Sequence, residues 1–224
     1  MKNKNQRIAT LLSLALIPLS GFATDMYIPS LPSMARDLHA NSIQVQLTLS
    51  LFLISYGVSQ LFVGSFLDSF GRYKASLYAL IIFSISCVII AATHNIYVIY
   101  LMRIVHGITI GTVVVAKRAY FVDVFKGEKL KHYLSLFTII WSAGPIVAPF
   151  IGGYLQTTMG WASNFYVLAG LAIVFVVLEF IYGSETLQHP TEFHIERIVK
   201  IYRDMLSTTS FTLGIGMLGL AYCM

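Results

Sequence analysis

The hydrophobic pattern of this chain is a series of long apolar runs separated by short polar segments. A helix needs about 20 mainly apolar residues to cross the hydrocarbon core of a bilayer. Six runs reach this length, at residues 8–29, 46–67, 75–93, 97–116, 133–155 and 163–183. A seventh run starts near Ser207 and is slightly short of a crossing when the chain stops at Met224. The pattern predicts an all-α membrane protein with six spans and an incomplete seventh helix, and therefore a truncated chain.

The polar segment after the sixth run divides the chain. We expect a six-helix transmembrane bundle over residues 1–183, a cytoplasmic linker over 184–206 and the beginning of helix seven over 207–224. In the linker, apolar residues at mixed helical spacing alternate with charged ones. This pattern is typical of an amphipathic helix that lies along the membrane surface. A solvated linker is the alternative.

Composition supports a membrane protein. Hydrophobic residues make up 57% of the 224 residues and charged residues only 11%, whereas soluble domains carry about 25% charged residues. The net charge of +5 could indicate nucleic-acid binding, but that function needs clustered Lys and Arg within a polar surface. We therefore expect no nucleic-acid partner. Both cysteines, Cys87 and Cys223, fall in apolar runs, so neither a disulfide framework nor a metal site is expected.

The distribution of basic residues predicts the orientation. Cytoplasmic segments of membrane proteins carry an excess of Lys and Arg. With a cytoplasmic N-terminus, 13 of the 15 Lys and Arg residues lie inside, while Arg36 lies outside and Arg103 lies within a span. We therefore expect a multi-pass protein of the cytoplasmic (inner) membrane with its N-terminus in the cytoplasm. A cleaved signal peptide is the less favoured alternative, because the first apolar run is about 22 residues long, too long for such a segment.

Three stretches are rich in glycine, two of them together with charged residues and the third together with prolines. The first, GSFLDSFGRYK, contributes Gly64, Asp68, Gly71, Arg72 and Lys74. The second, LMRIVHGITIGTVVVAKRAYFVD, contributes Arg103, His106, Gly107 and Gly111, the two glycines forming a pair that permits close helix approach. The third, WSAGPIVAPFIGGYL, contributes Gly144, Pro145, Pro149, Gly152 and Gly153, which permit a bend and tight packing. Taken singly, the first stretch also fits an ordinary charged turn and the third a kinked helix, whereas a buried Arg in the second needs a partner or water.

In this order, the three stretches resemble the loop, fourth-helix and fifth-helix motifs of the major facilitator superfamily. Ser69, Tyr73 and His106 depart from the residues usual in those motifs. GWASNFYVLAG and SETL resemble the start and end of the family's sixth helix, and TDMYIPSLP resembles the first-helix segment of drug/proton antiporters of the bicyclomycin and chloramphenicol resistance type. The resemblance implies the N-terminal half of a twelve-helix transporter. It also implies a conformational gating role for the glycines, prolines and charged loop residues of the three stretches.

Asp25 and Arg103 are ionisable residues inside predicted spans, where a charge requires a partner or a function. At 1.5 Å per residue, both lie roughly 6 to 9 Å below the outer membrane boundary. We therefore expect a direct or water-bridged pair, with Asp25 as the proton-coupling acid, Arg103 as its switchable partner and His106 as a polar neighbour. A fixed structural ion pair, or a position of Asp25 among the headgroups, is the alternative. Glu179, near the inner end of span six, is expected to snorkel or to contact basic inner segments.

Other polar and aromatic side chains are candidates for contact with a substrate. They combine aromatic area with hydrogen-bonding groups, although aromatic residues near span ends are as often interfacial. The set is Tyr27, Tyr56, Gln60, Trp141 and Asn164.

The family resemblance favours a proton-coupled exporter of a small lipophilic or cationic compound, working by alternating access. A proton-coupled importer or a facilitator of the same fold is the second hypothesis, and a non-transporting fragment is the third. We expect lipid, protons and the substrate as partners, and a missing C-terminal half or a second copy to complete the path. The sequence has no motif of an enzyme, and we expect no cofactor or metal, since the proton gradient drives transport.

Overall fold

The computed structural model describes residues 2–187 and, beyond them, 200, 202–205, 207–209, 211–215 and 217. The chain forms two compact units, residues 1–190 and 191–224. Up to residue 187 the backbone is helical apart from short connections. The elements in chain order are α1 (Lys2–Ala15), α2 (Pro18–Asp25), a 3-10 helix (Ile28–Ser30), α3 (Leu31–Asp37), α4 (Ser42–Phe70), α5 (Arg72–Ala92), α6 (Ile96–Val124), α7 (Gly127–Met159) and α8 (Ala162–Tyr182).

Six helical stretches of the described residues are long and apolar enough to cross a membrane. The first covers Gln6–Asp37, from α1 to α3, and the other five coincide with α4 to α8. The prediction of an all-α protein with six spans is therefore confirmed. The predicted amphipathic helix and seventh span fall largely on residues outside the described part and stay predictions.

The first span is built from short segments. Pro18 has no amide hydrogen and interrupts the helical hydrogen-bond pattern between α1 and α2. Here Ile17 donates to Leu14 at 3.2 Å, a bond one residue shorter than that of an α-helix. A second interruption at Met26 and Tyr27 separates α2 from the 3-10 helix. Asp25 therefore lies at a helix break inside the first span, which the sequence predicted as one apolar run over residues 8–29.

The long helices begin and end at recognisable local signals. Asn41 precedes α4, and its side chain accepts a hydrogen bond from the Gln44 amide at 2.8 Å while the Gln44 side chain accepts one from the Asn41 amide at 2.9 Å. This reciprocal cap satisfies backbone groups that the first helical turn leaves without partners. Gly71 ends α4 with a φ of 92°, a conformation that side-chain-bearing residues rarely adopt. The turn at Gly71 sends the chain directly into α5.

Helix α6 lies at the centre of the bundle, packed against α4 on one side and α5 on another. A Cβ atom added to Gly107 would lie 2.5 Å from the Phe52 carbonyl oxygen and 2.7 Å from the Tyr56 amide nitrogen. A Cβ atom added to Gly111 would collide with the Ser59 side chain. The predicted close approach is confirmed, because at Gly107 only hydrogen fits between the α4 and α6 backbones and at Gly111 the Ser59 side chain occupies the space of a Cβ atom.

Helix α7 packs against the broken first span. A Cβ atom added to Gly144 would lie 3.0 Å from the Gly21 Cα atom, and one added to Gly152 would collide with the Met26 carbonyl. Pro145 and Pro149 both lie inside α7, which continues through them as one helix. The face of α7 that carries Gly144 and Gly152 thus packs closely against the first span around the helix break near Asp25.

Burial differs strongly among the helices. Half of the most apolar 18-residue stretch of α5 and of α6 is buried, whereas the corresponding shares are 17% in α4 and 11% in α7. Phe150 of α7 is 79% exposed and Ile146 is 66% exposed. Large apolar faces of α4 and α7 therefore require lipid or another apolar surface as a partner.

Candidate functional site

Arg103 is completely buried among aromatic rings. Its guanidinium carbon lies 3.6 Å from the centre of the Tyr27 ring, 4.8 Å from that of Phe165 and 5.8 Å from that of Phe52. Aromatic faces attract cations by their quadrupole, by about 0.5 to 2 kcal/mol each. The negative potential that surrounds this buried cation is therefore supplied by ring faces that converge from the first span, α4 and α8.

The hydrogen bonds of Arg103 are incomplete. Nη1 donates to the Ala23 carbonyl oxygen at 3.2 Å, while Nε and Nη2 have no acceptor in the described part of the protein. A buried N–H group without a partner costs about 1 to 3 kcal/mol, and more when it is charged. Arg103 therefore has unused capacity for an acceptor such as a carboxylate or a water molecule.

Asp25 does not supply that acceptor in this structure, which corrects the expectation of a direct Asp25–Arg103 pair. Its carboxylate is half-buried and makes no ion pair or hydrogen bond with a described residue. Ala23, which bonds Arg103, is completely buried. Two residues further along an α-helix, Asp25 points about 200° away around the axis. The geometry of α2 thus turns Ala23 towards the core and the carboxylate away from it.

His106, one turn after Arg103, is also completely buried. Its Nε2 atom lies 3.4 Å from the Cys87 sulfur, and its ring centre lies 4.6 Å from that of Phe83. Its Nδ1 atom has no partner among the described residues. His106 and Arg103 share the Phe165 ring as a neighbour, so the histidine belongs to the same aromatic core and lies on its α5 side.

The five predicted substrate contacts are split between the core and the surface. Tyr27 and Asn164 are completely buried: the Tyr27 hydroxyl bonds Thr48 Oγ1 at 3.2 Å, and Asn164 donates to Ser30 Oγ at 2.8 Å. This corrects the expectation that these two face a substrate, since neither presents surface to a ligand here. The other three keep accessible surface, with Tyr56 half-buried, and Gln60 and Trp141 exposed.

A charged network joins the turn at Gly71 to the ends of α6 and α8. Arg72 forms ion pairs with Asp68, at 3.0 Å, and with Asp123, and it donates to the Ala119 carbonyl at 3.1 Å. Lys74, predicted to act with them, is exposed and has no ion pair with a described residue. The sequence predicted a role for Asp68 and Arg72 but not for Asp123.

Glu185 was also missed as a member of this network. Its carboxylate accepts hydrogen bonds from the Arg72 amide at 2.9 Å and from the Tyr73 amide at 3.2 Å. Thr186, the next residue, donates to Asp123 at 2.9 Å. A carboxylate at a helix N-terminus is favourable because it meets free amide groups and the positive end of the helix dipole. The SETL stretch therefore caps α5 and fastens the chain after α8 to the turn at Gly71.

A second buried cation on α6 has a conventional partner. Lys117 Nζ lies 2.6 Å from Glu179 Oε1, and the two residues are 6% and 2% exposed. The predicted contact of Glu179 with a basic inner residue is thus made by Lys117, which is buried in α6 and not in a loop. A cavity of about 20 Å³ lies beside the pair and is also lined by Ser13 and Tyr120.

The remaining gating candidates differ in their surroundings. A Cβ atom added to Gly64 would meet nothing within 4 Å, and one added to Gly153 would meet only Pro29, at 3.9 Å. In this structure, these two glycines are not required by a close helix contact.

The sequence model of the Major Facilitator Superfamily matches residues 14–224, and the chain belongs to this family of membrane transporters. It is a multi-pass membrane protein with six described spans and the fold of that family. The chain is 33% identical over 179 residues to the bicyclomycin resistance protein homolog of Haemophilus influenzae and 30% identical over 168 residues to multidrug resistance protein D of Escherichia coli. These alignments cover 80% and 75% of this chain.

The resemblance extends to an uncharacterised MFS-type transporter, YdgK, of Bacillus subtilis, with 34% identity over 185 residues and 81% of this chain. The chain spans about half the length of the curated relatives it matches, since the aligned parts are 46%, 44% and 43% of these three proteins. Among solved structures, the human organic anion transporter MFSD10 matches with a TM-score of 0.65 at 18% identity, over 86% of this chain and 52% of that one. This last likeness supports the fold alone.

Proposed function

We propose that this chain forms half of a proton-coupled exporter that moves small lipophilic or cationic compounds out of the cell by alternating access. The multidrug and bicyclomycin resistance names of its relatives support export of drug-like compounds. The chain spans about half the length of those relatives, so a C-terminal half or a second copy completes the transport path. The excess of basic residues in alternate connections supports a cytoplasmic N-terminus in the inner membrane.

The observation that carries the proposal is the incomplete hydrogen bonding of Arg103 beside the helix break that follows Asp25. When Asp25 carries a proton, it is neutral and gains little from approaching Arg103. When it is ionised, it can satisfy the Nε and Nη2 groups, provided that α2 rotates or the break at Met26 and Tyr27 changes. Proton release from Asp25 would thereby be coupled to a movement of the first span against α6.

Asp25→Asn tests this coupling, since the amide has the size of the carboxylic acid and cannot release its proton. We expect the variant, produced with the half that completes the path, to lose export of ethidium driven by a proton gradient. The measurement is ethidium and proton flux in vesicles, with expression checked in the membrane fraction. Asp37→Asn is a matched control, because Asp37 is an exposed acid of the same span whose bond to Trp161 an amide oxygen can replace.

Full gradient-driven export by Asp25→Asn would refute the assignment of Asp25 as the coupling acid. Proton flux into the vesicles when ethidium is added would instead identify an importer by symport, and substrate flux that needs no proton gradient would identify a facilitator. The same assay with Arg103→Lys tests the partner. A lysine keeps the charge but lacks the planar group that lies on the aromatic rings.

A further inference from the structure

A second cavity lies away from Arg103, where the start of the first span meets the junction between α6 and α7. Its volume is about 720 Å³. Arg7 and Leu11 of α1 line one side, and Phe125, Lys129, His132 and Tyr133 line the other. Arg7 is the second residue of the first span and Lys129 the third residue of α7, so the cleft opens at one membrane face. Neither the proton-coupling site nor the Arg72 network includes these residues.

The polar part of the cleft favours an anion. Arg7 and Lys129 contribute two permanent positive charges, and the ring of His132 lines the cleft with them. Glu128 also lines the cleft, but its carboxylate is engaged by Lys131 at 2.8 Å, a residue outside the lining. The N-terminus of α7 lies at the same place and has no side-chain cap. Uncapped amides and the helix dipole add further attraction for a negative group.

The rest of the cleft is apolar. The rings of Phe125 and Tyr133 stack with their centres 4.2 Å apart, and Leu11 is 66% exposed. Leu11 lies four residues after Arg7, which is about 6 Å deeper along the helix. Tyr133 lies four residues after Lys129 on α7 and is deeper by the same distance, while Phe125, in the connection before α7, stacks on it. A basic rim at the membrane face is thus followed, one turn deeper, by the apolar side chain of Leu11 and the ring of Tyr133. An inorganic anion would use only the rim, whereas a phospholipid has a headgroup for the rim and acyl chains for the apolar groups.

We propose that this cleft binds an anionic phospholipid, with the phosphate near Arg7 and Lys129 and an acyl chain along Leu11, Phe125 and Tyr133. Basic pockets between helices on the cytoplasmic side are suited to anionic headgroups, which are abundant in that leaflet. The assignment to the cytoplasmic leaflet rests on the proposed orientation of the chain. The binding site itself goes beyond the proposed transport activity and does not depend on it.

The test is native mass spectrometry of the purified 224-residue chain in detergent, titrated with phosphatidylglycerol or phosphatidylcholine. We expect preferential binding of phosphatidylglycerol. The Arg7→Gln/Lys129→Gln variant should weaken that binding at least about tenfold, given the contribution of each basic group near a lipid surface. The matched control is Lys74→Gln/Arg118→Gln, which removes the same charge from two exposed residues outside the cleft and should change the affinity less than about twofold.

Equal loss in the two double variants would overturn the proposal, because it would indicate unspecific attraction to a basic surface. Displacement of phosphatidylglycerol by excess inorganic phosphate would also overturn it and indicate a free-anion site. Leu11→Asn supplies an independent readout, since it should weaken lipid binding while leaving the charged rim intact. Thermal unfolding of each variant checks the fold. Because these measurements are made in detergent, they are independent of transport and of orientation.

Discussion

Two buried cations on α6 are accommodated in different ways. Lys117 and Arg103 are fourteen residues apart, about 21 Å along the helix. Lys117 contacts the carboxylate of Glu179 on α8 at 2.6 Å. Arg103 contacts three aromatic rings and the Ala23 carbonyl, and two of its nitrogens have no acceptor among the described residues. One helix thus carries a matched charge near its C-terminal end and an unmatched one nearer its N-terminal end.

This difference indicates which of the two cations keeps its contacts when the helices move. Separating a buried ion pair leaves two uncompensated charges, so the Lys117–Glu179 pair fastens α6 to α8. A cation with free N–H groups gains from any acceptor that reaches it, so the surroundings of Arg103 favour an exchange of partners. We therefore expect the C-terminal end of α6 to stay fixed against α8 and the region around Arg103 to change its contacts during transport.

The largest effect on stability is expected for Glu179→Leu, which leaves Lys117 buried without a counter-charge. Removing one partner of a buried pair costs about 3 to 5 kcal/mol. Thermal or denaturant-induced unfolding in detergent measures the change. The Lys117→Met/Glu179→Leu variant removes both charges and should recover most of the loss. If the double variant is as unstable as Glu179→Leu, the loss comes from packing and not from the unpaired charge.

A smaller effect is expected at Tyr27, whose ring lies closest to Arg103. Tyr27→Phe keeps the ring and loses the hydroxyl bond to Thr48, at a cost of about 1 kcal/mol. Tyr27→Leu also loses the cation–π contact, worth about 0.5 to 2 kcal/mol. The gap in unfolding free energy between these variants should shrink when Arg103 is replaced by Met. An unchanged gap in that background would show that the ring does not stabilise the cation.

The smallest effect on stability is expected for Arg103→Met. The variant loses ring contacts of about 0.5 to 2 kcal/mol each but also removes two buried nitrogens, Nε and Nη2, whose N–H groups lack acceptors among the described residues, at a cost of about 1 to 3 kcal/mol for each unsatisfied group. These contributions oppose one another, so the free energy of unfolding should either decrease by less than about 1 kcal/mol or increase. Gradient-driven ethidium export should nevertheless be lost. A loss of stability as large as that of Glu179→Leu would contradict the contrast between the two cations.

Local features were the ones that could be predicted. Runs of apolar residues predicted six spans, because the cost of placing polar groups in hydrocarbon acts on each segment separately. The Gly107 and Gly111 spacing predicted a close helix contact, because residues four apart share a helix face. Counting residues along each span placed Asp25 and Arg103 at similar depths in the membrane but could not place them side by side. Depth follows from position along one helix, whereas lateral distance depends on how the helices are arranged.

The amino-acid order alone established the membrane environment, the number of described spans and the positions of the close-packing glycines. Assembly of the bundle determined that Lys117 meets Glu179, 62 residues away, and that Glu185 reaches the Arg72 amide, 113 residues away. It also determined that Arg103 lies on aromatic rings. A membrane helix is apolar on nearly all sides, so its pattern carries little information about which neighbour each face meets, and those contacts arise only when the helices pack together.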